Sequence, residues 1–318
     1  MACELTSQST HPAPWVVILA TQPMRHGGFQ FRPVADGLSI VEQTCVRALQ
    51  LTTPDRLVTV VTPEQWRDSA HAVEAVPGKV MVAPQPTGEL ADVFLPLGWI
   101  VAQDPEASVL VLPSDHFMEP ADDFVRLLHR AVGIANDWPS DVFFLGAEAT
   151  EPCGDYQWLA PGDPLSERNL SVRRIRKIYD AKTYADQLSH YRAGHLWHTR
   201  MIAMRASALW EHARICVPEL VERLDAVRVA ASTAPSANQA IDDTIAQIFD
   251  DMPAIDFDQA LWRPIRSHAA VIPMIGITWT DWSRPERILE ALPPAPYREV
   301  DDVVAEPLES DRQPRFGA

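Results

Sequence analysis

The sequence predicts an α/β protein built on a doubly wound sheet. Two observations carry this reading. Short apolar runs alternate with stretches whose apolar positions recur at helical spacing, the pattern of strands buried on both faces and joined by helices. One run, Val109-Leu110-Val111-Leu112, ends at Pro113 and is followed at once by Ser114-Asp115-His116. Open α/β sheets bind ligands beyond the carboxyl ends of their strands, so an acid there is placed to hold a metal ion against a phosphate-bearing substrate. The plainer reading of Asp115 is a helix cap, since aspartate opens many helices.

Residues 1–14 are polar and read as a flexible leader. Trp15 to Ala20 is a short apolar run, a buried strand. Leu38 to Leu49 has helical spacing. Arg56 to Val61 reads as a second strand, and Pro63-Glu64-Gln65 as a helix start with proline in its first turn. Lys79 to Ala83 is a third strand, and Ala91 to Val101 an amphipathic helix. After the Val109–Leu112 strand come a helix from Ala121 to Ile134 and a strand from Val142 to Leu145.

The second half is less regular. Val172 to Ile178 alternates weakly as a strand, and Arg173, Arg174 and Arg176 read as charges that keep a solvated edge from pairing. Ala181 to Tyr191 is helical and Met201 to Met204 strand-like. Helices are expected over Ala206 to Arg214, Val217 to Val229 and Ala237 to Phe249, with a joint of small residues before the last. Ala269 to Met274 is a late strand and Pro285 to Leu292 a closing helix. From Pro293 the chain is rich in proline and acid, the composition of a disordered tail. Residues 15–292 thus form the expected domain.

With 318 residues the chain can bury a large core. Its formal net charge of −16 argues against nucleic acid and anionic membranes as partners, because both need a basic patch. Cys3, Cys45, Cys153 and Cys216 form no C-x-x-C pair and match no zinc spacing, so free thiols in a reducing compartment are expected. No apolar stretch approaches a membrane span, and the start shows no signal pattern, so a cytoplasmic protein is expected.

Several local patterns, in order, resemble the mannose-1-phosphate guanylyltransferase family of sugar nucleotidyltransferases. Leu112-Pro113-Ser114-Asp115-His116 is similar to its L-P-[AS]-D-H. Gln30-Phe31-Arg32-Pro33-Val34, then Leu38 to Thr44, resembles K-Q-F-L-P-L…S-L-L-Q-x-T. Gly194 to Ser207 resembles G-Y-L-W-N-S-G-I-F-V-F-R-A-S. Ala254-Ile255-Asp256-Phe257 resembles S-I-D-Y, and Val271-Ile272-Pro273 with Trp279-Thr280-Asp281-Trp282 resembles V-V-P…W-S-D-V. The order and spacing of these pieces give the match its strength. The resemblance implies a Rossmann-like nucleotidyltransferase fold with a mixed central sheet flanked by helices. It also implies transfer of a nucleotidyl group from GTP to a sugar 1-phosphate, mannose 1-phosphate in the family, with Mg²⁺ as cofactor. Asp115 and Asp281 match the family's two metal-holding acids. Read without the resemblance, Asp281 is a turn acid.

The departures cluster where the family binds phosphate. Its glycine-rich loop after the first strand is replaced here by Thr21-Gln22-Pro23-Met24-Arg25-His26-Gly27-Gly28-Phe29. Gly27 and Gly28 remain as candidates for a phosphate cradle, or as a simple turn, and Arg25 as a candidate phosphate contact. Gly88, with Pro86, fits the family's base-reading segment. The family lysine that contacts the sugar phosphate falls on Ile178, with Lys177 one position early and so on the opposite strand face. His198 stands where the family uses asparagine on the sugar; a packing histidine is the plainer reading. Asp256 is placed to hold a sugar hydroxyl, or is a loop acid. Of the tryptophans, Trp158, Trp197 and Trp279 fall in segments that the resemblance puts near the cleft. Three functions stay open: a sugar-1-phosphate nucleotidyltransferase of altered activity, a degenerate relative that binds nucleotide, sugar nucleotide or a protein partner without transfer, or a glycosyltransferase-like reaction on a nucleotide sugar.

Overall fold

The computed structural model describes residues 12–21, 29–31, 37–83, 89–233, 245, 248 and 258–282. A nine-stranded mixed sheet divides the molecule. Strands β1 (Trp15–Leu19), β2 (Leu57–Val61), β3 (Lys79–Val82) and β4 (Ser108–Pro113) pair in parallel in the order β3-β2-β1-β4. The sheet continues through β9 (Leu196–Arg205), β6 (Val142–Glu148), β10 (Ala269–Met274), β8 (Asn169–Tyr179) and β7 (Trp158–Ser166). Strand β9 runs antiparallel to both its neighbours, β4 and β6, so those two point the same way with an opposed strand between them. Strand β7 also reaches back to β9 through Trp158↔Trp197, which curls this half of the sheet on itself.

Each central strand is buried on both faces because side chains alternate across the sheet. Trp15, Val17 and Leu19 of β1 enter one core with Val109 and Val111 of β4, while Val16 and Ile18 enter the other with Leu110 and Leu112. Helices α4 (Glu89–Gln103), α7 (Ala206–Cys216) and α8 (Pro218–Thr233) cover the first face with Phe94, Trp210 and Leu224. Helices α1 (Ile40–Ala48) and α5 (Ala121–Asp137) cover the second with Val41, Cys45, Phe124 and Leu128. Local chemistry sets the helix starts. Ser39 and Glu42 form a reciprocal capping box at α1, and Thr62 and Gln65 do the same at α2 (Pro63–Asp68), with Pro63 at its first position. Two more helices among the described residues are α3 (Ala70–Glu74) and α6 (Tyr184–Arg192). Among the described residues, no helix is long and apolar enough to cross a membrane.

The expected α/β architecture is the one observed, and the ends of the predicted first-half strands lie within three residues of the observed ones. One reading is corrected. Strand β8 is no solvated edge, since it lies between β10 and β7. Its arginines make specific contacts there. Arg174 Nη2 is 2.9 Å from Asp141 Oδ2, and Arg173 Nε donates to the Gly162 carbonyl at 2.7 Å. Charge that looked like edge protection is used for pairing. Three strands escaped the sequence reading: β7 and the two short strands β5 (His116–Glu119) and β11 (Thr278–Asp281). The last two form a separate antiparallel ribbon. The expected leader as far as residue 11, most of the 237–249 helix, the 285–292 helix and the tail lie outside the described residues.

Candidate active site

The site is built where β4 ends. Ser114 N–H donates to the Leu19 carbonyl at 2.9 Å, tying the end of β4 to the end of β1. The buried Gln30 bridges the same two ends: its Nε2 donates to the Ala20 carbonyl at 2.7 Å, and its Oε1 accepts from Ser114 Oγ at 2.9 Å. From beneath, Thr44 Oγ1 donates to the Ser114 carbonyl at 3.1 Å and Arg47 Nη2 to the His116 carbonyl at 3.2 Å. These bonds hold the turn that presents Asp115 and His116 in fixed register. Burial pushes the Arg47 guanidinium down to about 10, still cationic at neutral pH.

The β5–β11 ribbon brings the second acid to this turn. Asp281 pairs with His116, Trp279 with Met118, and Trp282 N–H donates to the Asp115 carbonyl at 2.7 Å. Asp115 and Asp281 therefore line one cleft, of ≈ 250 Å³. Its opposite wall comes from Asp155, Tyr156 and Gln157 ahead of β7, and from His198, Thr199 and Arg200 of β9. Trp279 is buried and packs edge-on to His116 and against Tyr156, with ring centroids 5.1 and 4.8 Å apart. A larger hollow of ≈ 690 Å³ opens at the far edge of the sheet beside Trp66, Lys79 and Trp99. Asp55, Glu74 and Lys79 there make no comparable grouping of acids and imidazoles around a strand end.

Strand β9 is irregular where it meets the cleft. Between the Phe144↔Ile202 and Gly146↔His198 pairs, β9 spends more residues than β6, so a bulge forms around Thr199 and Arg200. Thr199 Oγ1 fills it by donating to the Leu145 carbonyl at 2.5 Å. Arg200 adopts φ 60°, the left-handed region that favours glycine. Its N–H donates to His198 Nδ1 at 3.0 Å, which places the ring proton of neutral His198 on Nε2. That Nε2 is buried and has no hydrogen-bond partner among the described residues. Burial, reinforced by the Arg200 charge, pushes His198 down to about 3, so the ring is neutral. His116 is also pushed well below the usual imidazole range by burial. Asp281 opposes that shift, while Arg200 and Arg47 add to it.

The cleft's formal charge follows from these states. Three lining aspartates, 115, 155 and 281, face one lining arginine, with both histidines neutral. Acids thus outnumber cationic side chains among the described lining residues, the kind of lining that draws a divalent cation. The described residues contain no group of three or more His, Cys, Asp or Glu set to hold a metal. Mg²⁺ ordinarily takes one or two carboxylates and completes its shell with water and substrate phosphates, so the donor set fits that ion.

Of the residues the sequence singled out, Asp115, Asp281, His198 and Trp279 meet in the cleft. Lys177 does not. It is exposed on β8, with its ammonium 4.6 Å from the Tyr179 ring centroid. Trp158 and Trp197 are buried packing residues behind the wall. Arg25, Gly27, Gly28, Gly88 and Asp256 lie outside the described residues. Sequence reasoning passed over His116, Asp155, Tyr156 and Arg200. A signal existed for the last: the motif that Gly194 to Ser207 resembles has glycine at the position of Arg200, and the backbone keeps a glycine-like angle there.

No protein-family model matches the sequence, and no curated protein does either. Solved structures do. A protein described as mannose-1-phosphate geranyltransferase from Thermus thermophilus superposes with a TM-score of 0.72 at 19% identity, over 88% of this chain and 79% of that one. A mannose-6-phosphate isomerase from Helicobacter pylori gives 0.63 at 13%, over 84% and 98%. A UDP-glucose pyrophosphorylase complexed with UDP-glucose gives 0.51 at 11%, over 88% and 97%. The likeness establishes the fold. At these identities the chemistry must be argued from the cleft itself.

Proposed function

We propose that this chain is a divalent-metal-dependent sugar-1-phosphate nucleotidyltransferase, with GTP and mannose 1-phosphate as the pair the sequence resemblance favours. One observation carries the reading. Two aspartates far apart in sequence, Asp115 and Asp281, are clasped into one cleft at the carboxyl end of β4 by the β5–β11 ribbon. One structural neighbour, the UDP-glucose pyrophosphorylase, supports the same class.

In the reaction, a phosphate oxygen of the sugar 1-phosphate attacks the α-phosphorus of the nucleotide. A new P–O bond forms, the bond to the β-phosphate breaks, and pyrophosphate leaves with the electron pair. A Mg²⁺ ion held by Asp115 and Asp281 would neutralise charge on the phosphates and orient them. The chain's own residues do the rest. Gln30, Ser114 and Thr44 fix the turn that carries Asp115. His198, neutral and with Nε2–H in hand, donates to a sugar oxygen. Trp279 and Tyr156 form a wall that limits water at the reacting centre.

The second reading is a relative that binds these ligands, or a protein partner, without transfer. Its support is Lys177, the nearest match to the family's phosphate-contacting lysine, which stands outside the cleft. Pyrophosphate release separates the two. The full chain is incubated with Mg²⁺, a panel of nucleoside triphosphates and sugar 1-phosphates, beside an Asp115→Asn control. Release above the control establishes transfer. Release no greater than the control with every pair removes it, and a thermal shift with nucleotide or GDP-mannose would then show a binding protein.

A further inference from the structure

We infer that Arg200 holds the phosphate of the acceptor, the sugar 1-phosphate, and does in this chain what a lysine on β8 does in the family it resembles. The assignment of acceptor rests on the nucleotidyl-transfer reading; the phosphate site itself does not. The cleft needs a cation for a phosphate monoester, and Arg200 supplies it among the described lining residues. The β8 position of the family lysine is Ile178 here, packed against the core, while Lys177 leans on Tyr179. So the strand that should bring the charge does not bring it into the cleft.

The backbone shows that Arg200 is held there against a cost. A non-glycine residue in the left-handed region is disfavoured by sterics, and such residues concentrate at ligand sites. The resembled motif has glycine at this point, which would be free of the cost. This chain instead extends a guanidinium from the bulge, and that group matches phosphate oxygens in a bidentate fork.

The same residue sets its neighbour. Because Arg200 N–H donates to His198 Nδ1, the imidazole must present its proton on Nε2. Arg200 and His198 thus offer two donors two residues apart on one wall: a fork for the phosphate and a single N–H for the sugar. Strand β9 flanks β4 on the side away from β1. On the nucleotidyl-transfer reading the sugar oxygen that His198 meets belongs to the acceptor, so the phosphate beside it is the acceptor's.

The test uses the full chain with Arg200→Gln, Arg200→Lys and Arg200→Gly. Binding is titrated by calorimetry with inorganic phosphate, mannose 1-phosphate, glucose 1-phosphate and free mannose, with Mg²⁺ present. Loss of a charge-assisted fork should weaken phosphate and sugar-phosphate binding by about 10- to 100-fold in the Gln and Gly variants. Lysine should restore part of the loss, and free mannose should respond equally in all forms. In turnover assays the KM for sugar 1-phosphate should rise while the KM for nucleotide moves little. Unchanged phosphate binding in Arg200→Gln overturns the inference, as does a wild-type chain that binds no phosphate. A loss confined to the nucleotide's KM also overturns it. If phosphate binding depends on Arg200 but no pyrophosphate is ever released, the phosphate site stands and the transferase reading falls. If pyrophosphate is released and Arg200→Gln leaves every KM unchanged, the reverse holds.

Discussion

Buried aspartates stand at both ends of the central sheet, and the two ends answer their charge differently. At the amino end of β6, Asp141 meets Arg174 at 2.9 Å and His268 Nδ1 at 3.4 Å. Arg174 in turn lies over the Trp138 ring. That acid is balanced by the fold itself and acts as a structural pin. At the carboxyl end of β4, Asp115 and Asp281 share a cleft with Asp155, and Arg200 is the lining cation that opposes all three. Negative charge left over in a concave site is what a cationic ligand answers. The contrast teaches that a buried acid acquires functional meaning from the charge sum around it, not from burial alone.

The largest test of the contrast is at the cleft. Asp115→Asn and Asp281→Asn should each lower pyrophosphate release by about 10²–10³, the usual effect of losing one preorganised charge. They should leave the melting temperature at or above wild type, because crowded acids repel. A variant that melts early while its folded fraction stays fully active would erase the distinction between the two ends. Asp141→Ala should do the opposite. It strips Arg174 of its anion and should cost about 1–3 kcal/mol of stability in denaturant unfolding. Turnover of the folded protein should be unchanged.

A pH series sharpens the picture. His198 is held at about 3 in the folded chain, against 6.5 for an ordinary imidazole. Its folded pKa is depressed, so the unfolded chain binds the extra proton first. The contribution is complete above 6.5 and declines as the pH falls below it. From pH 7 to pH 5 the wild type should lose about 1–2 kcal/mol through this group, and His198→Gln should flatten that part of the curve. An unchanged slope in the variant would show that His198 is not buried as a neutral ring. The smallest effect belongs to Arg200→Gly. Relief of the left-handed angle offsets the greater freedom of glycine in the unfolded chain, so chemical denaturation should shift by less than about 1 kcal/mol. A loss well above that would mark Arg200 as a packing residue.

Much of this fold was legible in the sequence, for a physical reason. Strands β1, β2 and β4 are buried on both faces, so their sequences are mostly apolar runs such as Val16-Val17-Ile18-Leu19. Strand β7 was hidden because Pro161, Gly162 and Pro164 read as loop; register shifts at Pro161 and Pro164 let the ladder pass them. The ribbon strands β5 and β11 have four residues each, too few for a period to show. Strand β9 was seen only from Met201 to Met204, since His198-Thr199-Arg200 interrupts the apolar run at the bulge that reaches the cleft. At the site, Asp115 was visible from its place after a strand. Asp281 was visible only through the resemblance, because its partner strand is remote in sequence. His116 was carried within the L-P-S-D-H match without a role of its own, and Asp155 had no local signal, since their roles depend on what the fold sets opposite them.

The β5–β11 ribbon also imposes an order in time. During synthesis Asp115 leaves the ribosome long before Asp281, so the cleft gains the last of its three aspartates only when the chain has reached the closing strand of the ribbon.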